Sequence, residues 1–331
     1  MARFGYVVLS AAATVAAFVF VRNHWDVSVL GAVLGAAIVA LLLLGLGLML
    51  RDHEVPGSEI GQALFVGMLI AAAIGWCQTE LQSSIDDASR EQARRETEQR
   101  EQQSFQLTLS LQHDLEGIDL EKKSLRNLYL RGKEMREANL SGAHLEHADL
   151  TGADLTEAEA QGAHVTETGF EGAHLKGIHL ESAEGEGAHF DYVKAGGAKL
   201  GQVSLPRAEF EHAHLRLAYM EEAEMPHAFF GQAELRAIQA AQSVMPAARF
   251  EQAHLEEADL VQANLRRAQF ERAKLQAARL EYADLREANF AGADLREAKL
   301  TGAELKGAQY TARTKWPAGF DASAHGAVLV R

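Results

Sequence analysis

Every fifth residue from Leu115 to Tyr310 is apolar or small, forty positions in unbroken register. An alanine most often stands two positions earlier, as in Ala138-Asn139-Leu140, Ala148-Asp149-Leu150, Ala258-Asp259-Leu260 and Ala293-Asp294-Leu295. A unit this short cannot bury its own apolar face, so units must stack on one another and the product is a solenoid. A second period lies inside the first. Phe170, Phe190, Phe210, Phe230, Phe250, Phe270 and Phe290 are twenty residues apart, Leu130 and Leu150 precede them, and Tyr310 continues the series. Pro206, Pro226 and Pro246 keep the same step. Twenty on top of five means four units per coil, with equivalent residues stacked from coil to coil. A helix of about 3.6 residues per turn cannot hold these periods on one face.

The pattern predicts an all-β solenoid. The Leu/Phe position, the centre of each unit, points inward together with the alanine two before it, which is small because the wall turns inward there. Residues between and after them point out. Glycines recur two after the centre, at Gly142, Gly152, Gly162, Gly172, Gly292 and Gly302, where a corner needs unusual backbone angles. Coils about 4.8 Å apart give a rod on the order of 48 Å long for ten of them. The seven phenylalanines read as a structural core ladder. Residues 183–203 look looser, with Gly185, Ala195, Gly196 and Gly197 in place of large or regular positions, and read as tolerated drift in preference to a bend or groove.

These residues resemble the pentapeptide-repeat family, whose unit reads A-(D/N)-L-x-x. The resemblance covers roughly 115–310 and implies a right-handed quadrilateral β-helix of about ten coils. The tail Thr314-Lys315-Trp316-Pro317-Ala318-Gly319-Phe320-Asp321 is similar to tails that close such proteins. The family implies a fold more firmly than an activity. Some members mimic DNA and inhibit type II topoisomerases.

Ahead of the repeats, Phe4–Val21 and Val27–Leu50 hold eighteen and twenty-four residues without a charge, and Ile60–Cys77 holds another eighteen. About twenty apolar residues span a bilayer as helix, so three transmembrane helices are expected. Arg90, Arg94, Arg95 and Arg100 follow the third span, which predicts an inner-membrane protein with its repeat domain in the cytoplasm. The expected organisation is a membrane domain over 1–78, a charged helical stalk over 79–104, a β-helix over 105–310 and a C-terminal cap over 311–331. Phe105, Leu107, Leu109 and Leu111 alternate like a strand leading into the first coil.

Net charge is −14. Residues 137–235 hold eighteen acids against five Lys/Arg, a balance of −13, and residues 236–331 hold twelve against fourteen. No basic nucleic-acid-binding surface covers the rod, so direct nucleic-acid binding is not expected. There is no phosphate-binding glycine loop, no H-E-x-x-H and no activated cysteine, and the carboxylates lie at outward positions of a convex rod. Neither an enzyme nor a bound cofactor is expected.

Outward residues sort into columns. One after the phenylalanine centres stand Glu171, Asp191, Glu211, Gly231, Glu251 and Glu271, five acids in six coils, with His212 and Arg272 as the obvious cations nearby. Like charges directly opposite one another are destabilising unless a partner neutralises them. On the next side stand Arg136, Thr156, Lys176, Gly196, Arg216 and Arg236. The acidic column is the candidate docking face for a basic protein segment. His144 and His164 fall in one column, but the next rung is Glu184 and no further ligands are apparent, so no metal site is predicted. The best-supported expectation is a membrane-anchored scaffold with the bilayer and a protein as partners. The alternative is a DNA-mimicking inhibitor or modulator of a type II topoisomerase.

Overall fold

The chain divides into two units, Met1–Gln102 and Gln103–Arg331, and the computed structural model describes residues 58–331. The expected spans Phe4–Val21 and Val27–Leu50 lie outside the described residues. Residues 60–77 fall within helix α1 (Ser58–Leu111), but most of their side chains lie outside the described ones. Among the described residues no helix is long and apolar enough to cross a membrane. Beyond Cys77, α1 contains neither Gly nor Pro to interrupt it. Contacts one turn apart decorate its exposed surface, with Arg95 on Glu91 at 2.5 Å and Gln92 on Glu96 at 3.0 Å.

The lead-in to the coils is helical, not extended. Phe105 and Leu109, four residues apart, share one helical face and pack on the core, whereas Leu107 and Leu111 are 59% and 76% exposed. A strand would have put all four on one side. The expected boundary between stalk and β-helix therefore moves from 104 to 111, and the first inter-coil bridge is Asp114 with Glu134.

From there to Gln309 each residue just before a centre pairs in parallel with its equivalent twenty positions on. One unit shows the bonding. Phe210 N–H donates to Phe229 O at 2.7 Å, Phe229 N–H to Ala208 O at 2.9 Å and His212 N–H to Gly231 O at 2.9 Å. Ala213 N–H closes the corner onto Phe210 O at 3.2 Å. Backbone polar groups are thus satisfied between coils, and side chains need only fill the interior. The corner residue two after the centre adopts positive φ throughout, and at twenty-seven positions it is not glycine, for example Leu217 at 58° and Ala237 at 53°. Each such residue carries roughly 1–2 kcal/mol of local strain, which the ladder hydrogen bonds hold in place.

The phenylalanines are fully buried. Their rings stack at centroid distances of 4.7 to 5.1 Å with interplanar angles of 2 to 6°. Two buried hydroxyls replace the inward alanine and are each satisfied: Thr168 donates to Leu145 O and Ser243 to Ala240 O, both at 2.7 Å.

The stretch 183–203 keeps its inter-coil bridges, so the ladder is not broken there. Gly185 is specifically required, not tolerated. A Cβ there would lie 2.4 Å from Thr166 N and 2.5 Å from Val165 C, so the wall has closed onto the backbone of the coil before it.

Both ends of the coil are covered, which removes open β edges. At the start, the ammonium of Lys133 donates to the carbonyls of Ser110, at 2.8 Å, and Gln112. Ser110 lies in the last turn of α1 and Gln112 just beyond it, where helix geometry leaves acceptors unpaired and favours a cation. At the other end, Asp294 pairs with Lys315, twenty-one residues on, so the register slips by one. Strand β1 (Gln309–Tyr310) then pairs in parallel with β2 (Val328–Leu329). Trp316 lies edge-on to Phe290 and Tyr310, each at 5.6 Å, and terminates the phenylalanine stack.

Candidate interaction surface

The repeat fixes where outward side chains stand. Residues one before and one after each centre flank the inward side chain on the same face, so each face carries two parallel columns at the coil spacing. On the phenylalanine face one column is Gly169, His189, Glu209, Phe229, Arg249 and Gln269; the other is Glu171, Asp191, Glu211, Gly231, Glu251 and Glu271.

The structure divides this acidic column into two unlike halves. Above Gly231, Arg249 donates from Nε to Glu251 at 2.9 Å while its guanidinium lies 5.5 Å from the ring centre of Phe229. Arg272 Nε lies 3.7 Å from Glu271. Arg249 is a neutralising cation that a reading down single columns misses, because it sits across the centre in the companion column. Below Gly231 the column's three carboxylates crowd together with Glu209 of the companion column. Burial raises the pKa of Asp191, and the charges of Glu209, Glu211 and Glu171 push it the same way, against the Glu211 N–H that donates to Asp191 Oδ1 at 2.7 Å. Glu209 is relieved by His189 Nδ1 at 2.9 Å. Glu171 accepts from Thr151 Oγ1 at 3.3 Å.

The expected basic edge is also partly neutralised. Arg136 meets Asp154 at 2.7 Å and Arg236 meets Glu257 at 2.6 Å.

Histidine holds the second finding. His144 and His164 stack at 4.6 Å and 5°. A third side chain of ligating type stands beside the histidine pair. Glu146, across the centre from His144, brings Oε1 to 3.3 Å from His144 Nδ1. The signal in the sequence is His-x-Glu about a centre, since both flanking residues point outward on the same face. The pKa of Glu146 is lowered to about 2, chiefly by the Arg126 guanidinium.

The family profile of pentapeptide repeats matches in eight copies, over residues 134–172, 247–281 and 278–309. This chain belongs to the pentapeptide-repeat family, whose fold is the right-handed quadrilateral β-helix. Among solved structures it is similar to HetL, a pentapeptide-repeat protein involved in heterocyst differentiation regulation from the cyanobacterium Nostoc sp. strain PCC 7120. That match is 26% identical, covers 62% of this chain and 90% of HetL, and has a TM-score of 0.38. The pentapeptide-repeat protein alr5209 of Nostoc PCC 7120 is 33% identical over 31% of this chain and 82% of its own, with a TM-score of 0.19. Full-length QnrB1, a plasmid-mediated fluoroquinolone resistance protein, is 14% identical over 60% of this chain and 91% of its own, with a TM-score of 0.29. No curated protein matches the chain significantly.

Proposed function

We propose that the protein is a non-enzymatic scaffold, anchored in the inner membrane by apolar segments within residues 1–78, whose cytoplasmic β-helix docks a basic protein segment. The docking face is the acidic column, with its more crowded half, Glu171, Asp191 and Glu211, as the anchor and Glu251 and Glu271 as its extension. The carrying observation is that Glu171, Asp191 and Glu211 stack on successive coils with Glu209 alongside, a crowding that, with burial, also pushes the Asp191 pKa up. A Lys/Arg-rich segment laid along that column would remove the repulsion and form charge-assisted hydrogen bonds. The uncharged segments Phe4–Val21, Val27–Leu50 and Ile60–Cys77 support the anchor.

Modulation of a type II topoisomerase by DNA mimicry is the weaker reading. A mimic needs unpaired acids along the length of a surface, whereas Glu251 and Glu271 have arginine neighbours.

The test compares pull-downs from detergent-solubilised membranes using wild type and a variant in which Glu171, Asp191, Glu211, Glu251 and Glu271 become glutamine. A partner enriched on wild type, lost on the variant and released by salt supports the reading. Identical captures from both proteins would overturn it.

A further inference from the structure

We propose that His144, Glu146 and His164 form a binding site for a divalent transition-metal ion such as Zn²⁺, with Glu184 able to complete it. The ligand atoms of the first three residues all lie within 4.8 Å of one another. His144 and His164 pair directly on adjacent coils, and Glu184 pairs with His164 on the next. His164 Nδ1 lies 2.8 Å from Glu184 Oε1. Both histidine Nδ1 atoms thus face carboxylate oxygens. Two imidazoles and carboxylate oxygen form a donor set that suits zinc and its neighbours in the first transition series.

The donor atoms already stand within reach of side-chain rotation. Zinc bonds of about 2.0–2.2 Å in a tetrahedral site place ligand atoms roughly 3.4 Å apart. The His144 Nδ1 to Glu146 Oε1 distance is already 3.3 Å. The two imidazoles are about one-third exposed, at 36% and 35%, so they can tilt from parallel stacking toward a common ion.

A cation already occupies this place. Arg126 donates through Nε to Glu146 Oε2 at 2.9 Å and through Nη2 to Glu146 Oε1 at 2.7 Å. Nη2 also lies 3.2 Å from His144 Nδ1. The guanidinium side chain is 52% exposed and can withdraw into solvent. Metal binding is therefore an exchange in which the ion displaces Arg126 and accepts the lone pairs of His144 and Glu146. The bound ion ties the coils of residues 144 and 164, and through Glu184 a third coil, across rungs otherwise joined by backbone hydrogen bonds. An ion that binds only the folded coil raises the thermal midpoint by mass action.

Full-length protein without a polyhistidine tag, purified in detergent, is dialysed against Zn²⁺ and its metal content measured by mass spectrometry. Wild type is expected to hold one equivalent more than the double variant H144Q/H164Q, and H214Q is expected to match wild type. R126Q should bind more tightly than wild type, because the competing cation is gone. Far-UV circular dichroism checks that the variants keep the coil, as these side chains point outward. Equal zinc content in wild type and H144Q/H164Q, or an equal loss in H214Q, would overturn the site. Unchanged affinity in R126Q would overturn its placement over the guanidinium.

Discussion

Gly185, at an inward centre, and Gly201, one after the centre Leu200, respond oppositely to the same added methyl group. At Gly185 the added Cβ would meet Thr166 N at 2.4 Å, Val165 C at 2.5 Å and Val165 O at 2.9 Å. All three are backbone atoms of a coil held by the bonds from Val165 N–H to Glu184 O and from Glu167 N–H to Glu186 O, at 2.8 and 3.0 Å. Relief requires the walls to separate by about 1 Å, and overpacking of this kind costs roughly 1–3 kcal/mol, more where nothing flexible can yield. At Gly201 the nearest atom would be Glu221 O at 3.7 Å, an ordinary contact, and φ is not in the left-handed region. Gly201→Ala should therefore stabilise by about 0.4–1 kcal/mol through the unfolded chain. The assay is urea unfolding of the full chain followed by circular dichroism, with hydrogen exchange at residues 165–167 to localise the effect, since solenoids can open coil by coil. Gly185→Ala is expected to lose about 3 kcal/mol and to deprotect those amides. Equal and small effects of the two substitutions would refute the reading of a closed wall at Gly185.

Three further predictions concern the core, the cap and pH. Phe230 stacks on both sides, at 4.9 and 5.0 Å, whereas Phe170 stacks on Phe190 alone. Phe230→Leu should thus cost about 0.5–1.5 kcal/mol more than Phe170→Leu in the same unfolding assay. Lys133→Met strips the end of α1 of its ammonium donor, with an expected loss of about 1–3 kcal/mol and faster hydrogen exchange at 105–112; unchanged exchange there would contradict the capping role. The folded pKa values of Glu146 and Asp294 are lowered to about 2, by Arg126 and Arg296 first, from ordinary values of 4.5 and 3.8. Their stabilisation is present above the ordinary values and is lost as pH falls toward 2, so the gap between wild type and E146Q/D294N should close over that window. Asp191 has the opposite sign: its raised pKa penalises the folded state as pH rises, and Asp191→Asn should raise the thermal midpoint at neutral pH.

The coil was legible because its period is written in every unit. The inward positions are mostly Leu, Phe and Ala, and no tertiary override competes with forty repetitions of one pattern. The start of the coil was less so. Phe105, Leu107, Leu109 and Leu111 fit a period of two as well as Phe105 and Leu109 fit a helical step of four, and only packing on the first coil decides between them. Lys133 stands out in the sequence as a lysine at the inward position two before Met135, where alanine is usual, but its partners depend on where Ser110 O and Gln112 O end up. Gly185 looked like loss of a core side chain, when it is a close approach of two backbones. At the candidate surfaces, columns twenty residues apart were readable. Two contacts that alter their chemistry run across a centre, from Arg249 to Glu251 and from His144 to Glu146, and a reading along columns does not see them, whereas Arg126 to Glu146 and His164 to Glu184 run along columns.

The docking claim is tested most directly by placing a photo-crosslinking amino acid at Gly231, the gap in the acidic column, and for comparison at Ala241 on another face. The account predicts a discrete adduct with one basic protein from position 231, absent from position 241 and lost when Glu171, Asp191 and Glu211 become glutamine. Adducts of the same pattern from both positions, or an adduct at 231 that survives the three glutamines, would contradict it.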